Sequence, residues 1–561
     1  MRRLFPFLAW LPLKGAALRG DLLAGVTVAL VLVPQSMAYA QLAGMPAYYG
    51  LYASLLPVAV GAMWGSSHQL ATGPVAMVSL LTGSTLAQFA TPGSVQFVAH
   101  AITLALMVGA IQLALGAFRL GALVNFLSHP VIVGFTNAAA IIIALSQLDK
   151  MLGVQRPRSD RFLADVWGVL GAASGTHWPT LAIGATALAV MLAGRRFAPR
   201  VPWVLVTAVL CTLVSWASGF ERAGGAVVGG IPQGLPPFAW PQFSLGTLVT
   251  LFPTALVITL VGFMEAISIA KSMATRTRQR IDANQELVGQ GLANLASALS
   301  GSFPVSGSFS RSAVNLSTGA VTGFSSVVTA ALVLLSLLLL TPLLHHLPQA
   351  ALAAIIIQAV VGLVSFSALK HAWQAHRHDG AAAAVAFAAT LLLAPHLDLG
   401  ILVGGGLAII LYLYRTMRPR VALLARHADG TMRDAKLHAL AEDERVVVFR
   451  FDGDLYFANV PYFEDAILEA VAARPGAPHL LVVGDGINEI DASGEEVIRH
   501  LVERLRESGV QVAFSGLKQQ VLQVMRNTGL YALIGEANMY RTEDMALAAI
   551  LARADAPARQ A

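Results

Sequence analysis

Charge is scarce in this 561-residue chain: only 12% of residues are Asp, Glu, Lys or Arg, whereas 56% are hydrophobic and mean hydropathy is +0.67. Soluble domains carry about a quarter of their residues as charges, so a soluble fold for the whole chain is excluded. Cysteine is scarcer still. Cys211 stands alone inside an apolar run, which excludes an intramolecular disulfide and argues against a thiolate metal centre. No Walker phosphate loop occurs, and Gly404-Gly405-Gly406 lacks the strand-to-helix setting of a nucleotide fingerprint. His345, His346, His371, His376 and His378 match no familiar metal spacing and read as a solvated set near run ends. Neither a metal nor a cofactor is expected.

What the chain does have is apolar runs near 20 residues, recurring to about residue 415. They predict fourteen spans, near 21–42, 47–64, 72–89, 97–117, 127–148, 176–194, 201–218, 247–271, 284–300, 306–319, 322–341, 349–366, 380–396 and 400–415. With both ends on the inner side, seventeen Lys/Arg fall inside and five outside. Four of the five, Lys150, Arg156, Arg158 and Arg161, crowd one loop that breaks the rule. The segment Met1 to Lys14 has no clear cleavage signal and is expected to be retained, with a cytoplasmic N-terminus. Charge changes sign along the chain: residues 1–420 hold 23 Lys/Arg against 10 Asp/Glu, and residues 421–561 hold 14 against 21. The expected domains are a membrane part over 1–420, a linker over 421–439, a soluble domain over 440–555 and a flexible tail over 556–561.

Two spans are short and start with glycine, proline or serine. The first opens Thr72-Gly73-Pro74-Val75-Ala76 and the second Ser306-Gly307-Ser308, each third in a set of seven. An intramembrane polar residue precedes each at similar remove: Gln35 lies 38 residues before Gly73, and Glu265 lies 42 before Gly307. Seven is odd, so a repeat of seven enters the membrane from the opposite side. Repeats over about 20–218 and 247–415 would then be inverted, with two half-helices meeting near the midplane and both positive ends aimed at one anion. Close helix packing through glycine is the plainer alternative. Arg311 fits that alternative poorly, because an arginine facing lipid costs about 2.5–3.5 kcal/mol on insertion scales.

Pro34-Gln35-Ser36-Met37-Ala38-Tyr39-Ala40, with Ala43-Gly44-Met45-Pro46 and Gly50-Leu51-Tyr52 after it, closely resembles the SulP anion permeases, relatives of prestin and pendrin. Ala71 to Ala76, Phe263 to Lys271 and Ser308 to Asn315 resemble that family's third, eighth and tenth helices, and the tail resembles its STAS domain. The resemblance implies a polytopic α-helical transporter of the elevator type, not an enzyme. It would have core and gate domains, a homodimeric assembly in the inner or plasma membrane, a cytoplasmic STAS domain and no nucleic-acid partner. It also implies a substrate site built from Gln35, Tyr39, Val75, Ala76, Ser308, Phe309, Ser310 and Arg311. Gln35 and Tyr39 are four apart and so share a helix face.

Glu265 is the expected proton carrier. Burial opposes its charge while a nearby cation favours it, and the expected cycle pairs it with Arg311 until the anion takes the arginine over. A static pair is the competing reading. The favoured cargo is sulfate moving with protons. Alternatives are a C4-dicarboxylate such as succinate or fumarate, sodium-coupled bicarbonate with Glu265 and Ser268 holding the sodium, an uncoupled channel or exchanger, or a membrane sensor signalling through the tail.

His129 and Asn137 read as a helix-end residue and an interhelical hydrogen-bonding residue. In the tail, Arg445 to Phe451 and Leu480 to Val483 read as strands, with amphipathic helices near 460–474, 493–509, 517–528 and 543–553. That predicts a small α/β domain, to which a cytoplasmic partner is a candidate. Ser493 resembles the serine that is phosphorylated in bacterial STAS antagonists, but helix capping is the favoured reading.

Overall fold

The computed structural model describes residues 5–13, 15–122, 128–155, 161–198, 201–238 and 244–554. Arg2, Arg3, Lys14, Arg156, Arg158, Arg200 and the tail 556–561 lie outside these. The chain divides into two compact units, Met1–Ala408 and Ile409–Ala561.

Helices stand at all fourteen expected places. The first seven are α1 (Gly15–Leu42), α2 (Leu56–Trp64), α3 (Ala76–Leu86), α4 (Val95–Ala117), α5 (His129–Leu145), α6 (Trp178–Phe197) and α7 (Trp203–Ser218). The second seven are α8 (Leu245–Thr277), α9 (Ala283–Leu299), α10 (Phe309–Ser317), α11 (Phe324–Leu339), α12 (Gln349–Val361), α13 (Arg377–Leu392) and α14 (Leu397–Met417). Seven candidate spans among the described residues are long and apolar enough to cross a membrane by themselves; others, α2, α3 and α10 above all, are half that length or less. The protein is a polytopic α-helical membrane protein.

Packing sorts these helices into two groups, each drawn from both halves of the chain. In one group α9 lies on α4 and α2, α11 lies on α1 and α2, and α8 lies on α4. In the other, α13 lies on α5, and α12 lies on α5 and α6. Thus α1–α4 pack with α8–α11, and α5–α6 with α12–α13, as two superposed sets of seven require. Lipid gives apolar side chains no reason to leave it, so helices associate where small residues let backbones close up. At the α4–α9 crossing a Cβ on Gly109 would lie 2.9 Å from the carbonyl oxygen of Gly291.

Two short strands interrupt the helical pattern. β1 (Ala71–Gly73) and β2 (Ser306–Ser308) pair antiparallel, with Ala71 opposite Ser308 and Gly73 opposite Ser306. Both are fully buried. Irregular backbone survives inside a membrane only where protein supplies its hydrogen bonds, and here each strand supplies the other's.

The second unit is a six-stranded sheet with helices on its faces. Its elements are β3 (Arg420–Arg426), β4 (Met432–Asp434), β5 (Val446–Asp452), α15 (Val460–Ala472), β6 (His479–Val483), α16 (Ala492–Glu507), β7 (Gln511–Ser515), α17 (Gln519–Asn527), β8 (Met539–Tyr540) and α18 (Glu543–Ala554). Sheet order is β4-β3-β5-β6-β7-β8; β3 runs antiparallel to both neighbours and β5 to β8 run parallel. Residues 421–439, expected as a linker, instead carry most of β3 and all of β4. The cause is polar pairing that composition hides: Arg420 donates to the Asp434 carboxylate at 2.8 Å, and the Leu437 amide donates to its other oxygen at 3.0 Å. Those contacts, the amide first, hold the Asp434 carboxyl below the usual range.

Candidate functional site

The strand pair sets the site. Antiparallel strands leave their ladder in opposite directions, so α3, which follows β1, and α10, which follows β2, point away from each other with their N-termini toward the ladder. Val75 and Ser308 occupy the cap positions, and neither side chain accepts a capping hydrogen bond. The first backbone N–H groups of both helices therefore remain as donors, each at the positive end of a helix dipole. Val75, Ala76 and Ser308 are buried; Ser310 and Phe309, the latter 57% exposed, open onto the surface. Ser308 and Ser310 join through their hydroxyls at 3.4 Å.

Arg311 lies between these elements with 0% exposure. Its Nη1 donates to Gln35 Oε1 at 3.1 Å, and Gln35 Nε2 donates to the Tyr39 hydroxyl at 3.1 Å. The four-residue spacing on α1 thus puts amide and phenol in one chain ending on the guanidinium. Nε and Nη2 of Arg311 are buried without a hydrogen-bond partner among the described residues. A fixed cation enclosed by protein and answered only by a neutral amide is costly until an anion neutralises it. Gly73 makes room for it: a Cβ there would stand 3.3 Å from Nη2, at a φ of +148° that side chains rarely adopt. We expect Gly73→Ala to weaken anion binding about tenfold by displacing the guanidinium, with folding retained; equilibrium binding measures it, and wild-type affinity would show that the guanidinium tolerates the shift.

Glu265, on α8, is partly enclosed and its Oε2 has no hydrogen-bond partner. The expected Glu265–Arg311 ion pair is not formed: no carboxylate approaches Arg311 within 4 Å among the described residues, and the hydrogen bond the guanidinium does make, through Nη1, goes to the neutral amide of Gln35. The two act on each other through space only. Ser268, one turn on, is exposed. A cavity of about 1020 Å³ lies elsewhere, lined by Gln41, Ser84, Gln88, Gln147, Lys150 and Gln349 among others, and none of the expected substrate residues borders it. Lys150 Nζ donates across it to Gln41 Oε1 at 3.5 Å.

Residues 18–386 match the Sulfate permease family, and residues 439–546 match the STAS domain. The chain belongs to the sulfate permease family. Among relatives of this permease, sulfate transporter 4.1 (chloroplastic) of Arabidopsis thaliana is 37% identical over 536 residues, which is 92% of this chain and 78% of the plant protein. The murine Solute Carrier 26 family member A9 anion transporter superposes at a TM-score of 0.91 over 98% of this chain and 94% of its own, at 22% identity, a likeness of fold. The transmembrane domain of a cyanobacterial bicarbonate transporter superposes at 0.60 over 71% of this chain and 98% of its own, at 25% identity. The family is one of permeases, so the chain is a transporter and not an enzyme.

Sequence reading passed over the polar residues that hold the permease's ladder in place. Glu286, 1% exposed on α9, accepts from the Ser66 and Ser67 amides at 2.8 and 3.0 Å and from the Ser66 hydroxyl at 3.0 Å. One turn on, Gln290 donates to Thr72 Oγ1 in β1 at 2.9 Å; a further turn on, Asn294 bonds both backbone groups of Val305, just before β2. Asp21, fully buried on α1, accepts from the Val321 and Thr322 amides ahead of α11 at 2.7 and 3.0 Å. The i, i+4, i+8 spacing of Glu286, Gln290 and Asn294 was a usable signal, one polar stripe on an otherwise apolar helix. Asn137 takes the interhelical role expected of it, accepting from the Ser365 amide at 2.7 Å, and His129 begins α5.

Ser493 sits apart in the second unit, as the second residue of α16. It is not the cap. Asp491 is, accepting from Gly494 N at 2.8 Å and, through its other oxygen, from Phe457 N at 2.9 Å.

Proposed function

We propose that this permease imports sulfate together with protons, cradling the anion between the starts of α3 and α10. The supporting observation is Arg311, buried with two of its nitrogens unanswered beside two uncapped helix starts. A tetrahedral dianion offers an acceptor oxygen to each of these donors, and charge-assisted bonds to a guanidinium are the strong kind. Gln35 and Tyr39 orient the guanidinium, Val75 and Ala76 present backbone amides, and Ser308, Phe309 and Ser310 form the open rim. Sulfate is the cargo named for the plant relative.

Glu265 carries the proton in this reading. Its neighbourhood to Arg311 without contact suits a group that is ionised before the anion arrives and protonated once the anion has taken the arginine's field. The helices that hold the cradle move as a core against the second group in elevator fashion, within a homodimer whose N-terminus and STAS domain are cytoplasmic. The transport unit runs to about residue 420, and the STAS domain takes a protein partner or phosphate at Ser493. Sodium-coupled bicarbonate uptake is the second reading, favoured by the likeness to the cyanobacterial domain, with Glu265 and Ser268 on the sodium; a dicarboxylate fits the same donors.

The experiment is labelled sulfate uptake into proteoliposomes holding the full-length protein, with an inward proton gradient and no sodium. Accumulation above equilibrium that a protonophore collapses is expected. Glu265→Gln should lose the accumulation while keeping sulfate binding within a few-fold. Coupled uptake surviving that change would remove Glu265 from the mechanism; no sulfate flux, but flux of sodium with bicarbonate, would replace the cargo.

A further inference from the structure

Two loops far apart in the sequence meet beyond the ends of α7 and α11. One follows α7 and carries Glu221; the other, between the single turn Thr341–Leu344 and α12, carries His345 and His346. They are stitched together by backbone: Val228 N donates to Leu347 O at 2.9 Å, Gly229 N to His345 O at 3.1 Å, and Gln349 N to Ala226 O at 2.9 Å, around a bridge between Val227 and Pro348. His177, ahead of α6, holds the same loop from behind, its Nε2 lying 3.1 Å from Ala223 O.

Within this frame, one ligand atom from each of Glu221, His345 and His346 falls within 4.8 Å of the other two. Glu221 Oε2 is 3.4 Å from His345 Nε2, and the two imidazole rings stand 4.8 Å apart, nearly perpendicular. A simple ion pair would use His345 and leave His346 unexplained. Three donors converging from two braced loops make a different object.

We propose that Glu221, His345 and His346 bind a divalent transition-metal ion of the zinc class, with water as the fourth ligand. Two imidazoles and one carboxylate are a borderline nitrogen–oxygen set, too poor in oxygen for calcium or magnesium. Tetrahedral zinc with bonds of about 2.0–2.1 Å needs ligand atoms roughly 3.3 Å apart. The Glu221–His345 pair already has that spacing, and the His346 donor, within 4.8 Å of both, has to draw closer to complete the set. The site also has a mechanical place: the histidines sit on the connection from α11, in the first helix group, to α12, in the second. If the elevator reading holds, bound metal stiffens that connection and slows uptake; metal binding itself does not depend on that reading.

The test is isothermal titration of the chelator-stripped, full-length protein in detergent with zinc chloride, alongside the absorption spectrum of its cobalt(II) form. One zinc per chain is expected, weakened at least tenfold by His346→Asn or Glu221→Gln, and unchanged by the double change His376→Asn with His378→Asn. Cobalt should give the intense visible bands of four-coordination in the wild type, a reading that needs no variant to fold. No saturable zinc binding, zinc binding that survives the double change His345→Asn with His346→Asn, or a weak six-coordinate cobalt spectrum would each overturn the site. Zinc that binds without slowing uptake overturns the stiffening of that connection and leaves the metal site itself standing.

Discussion

Arg311→Ala will remove saturable sulfate binding, and Arg311→Met will remove it in a protein that melts no lower than the wild type. The binding half follows from the two unanswered nitrogens, Nε and Nη2. Two charge-assisted hydrogen bonds are worth about 1.5–3 kcal/mol each, so their loss weakens binding by about 100-fold or more. The stability half follows from burial. A guanidinium with 0% exposure, held by one neutral amide, contributes a desolvation cost with little return, and replacing such a charge by an apolar group of similar volume, as in Arg311→Met, is often neutral or stabilising, whereas alanine also opens a cavity. Arg311→Lys tests geometry against charge: an ammonium keeps the charge but not the planar fork, so intermediate affinity is expected. Unchanged affinity in the alanine variant, by titration with labelled sulfate, would move the site elsewhere.

Glu286→Ala will do the reverse, destabilising the fold and the site together. The carboxylate holds two backbone amides and a hydroxyl from the segment leading into β1, and Gln290 at 3.3 Å. Stranding buried donors costs about 1–3 kcal/mol apiece, so a loss on the order of 3–5 kcal/mol is expected, the range seen when a buried charged group is deprived of its partner. Glu286→Gln keeps shape and one acceptor and should recover about half. Thermal denaturation in detergent measures stability, and sulfate titration the site. A Glu286→Ala protein with wild-type melting and affinity would mean that pairing with β2 and the Gln290–Thr72 bond position β1 without the carboxylate.

The contrast between these residues explains what was legible in the sequence. Helix positions follow from runs of apolar residues, a local property, so all fourteen were readable. Gln35, Tyr39 and Arg311 were legible because their motifs are distinctive, and the structure joins the three in one hydrogen-bonded chain. Glu286 and Asp21 were harder to read: only the polar stripe of α9 marks Glu286, and Asp21 has no such mark. Their partners lie 220 and 300 residues away, and an acid near the end of an apolar run looks like an ordinary interfacial charge. The missing Glu265–Arg311 pair has the same origin, since sequence gives charges but not the distance between them. Errors in the second unit were of register: the cap fell on Asp491 rather than Ser493, and β3 and β4 filled a stretch whose mixed composition resembled a linker. The metal ligands show the limit most plainly, because Glu221 stands 124 residues from His345.

The pairing of β1 with β2 also bears on how the protein is made. Ala71 finds its backbone partner only at Ser308, so the first half of the chain enters the bilayer with a polar strand whose ladder does not yet exist. Hydrocarbon offers that strand nothing to bond with. Biogenesis must therefore shelter it, with water or with insertion machinery, until the second half threads in from the other side. The facing helix starts of α3 and α10 are thus among the last features to be placed, and a chain interrupted between α7 and α8 carries one of them with no means of completing the pair.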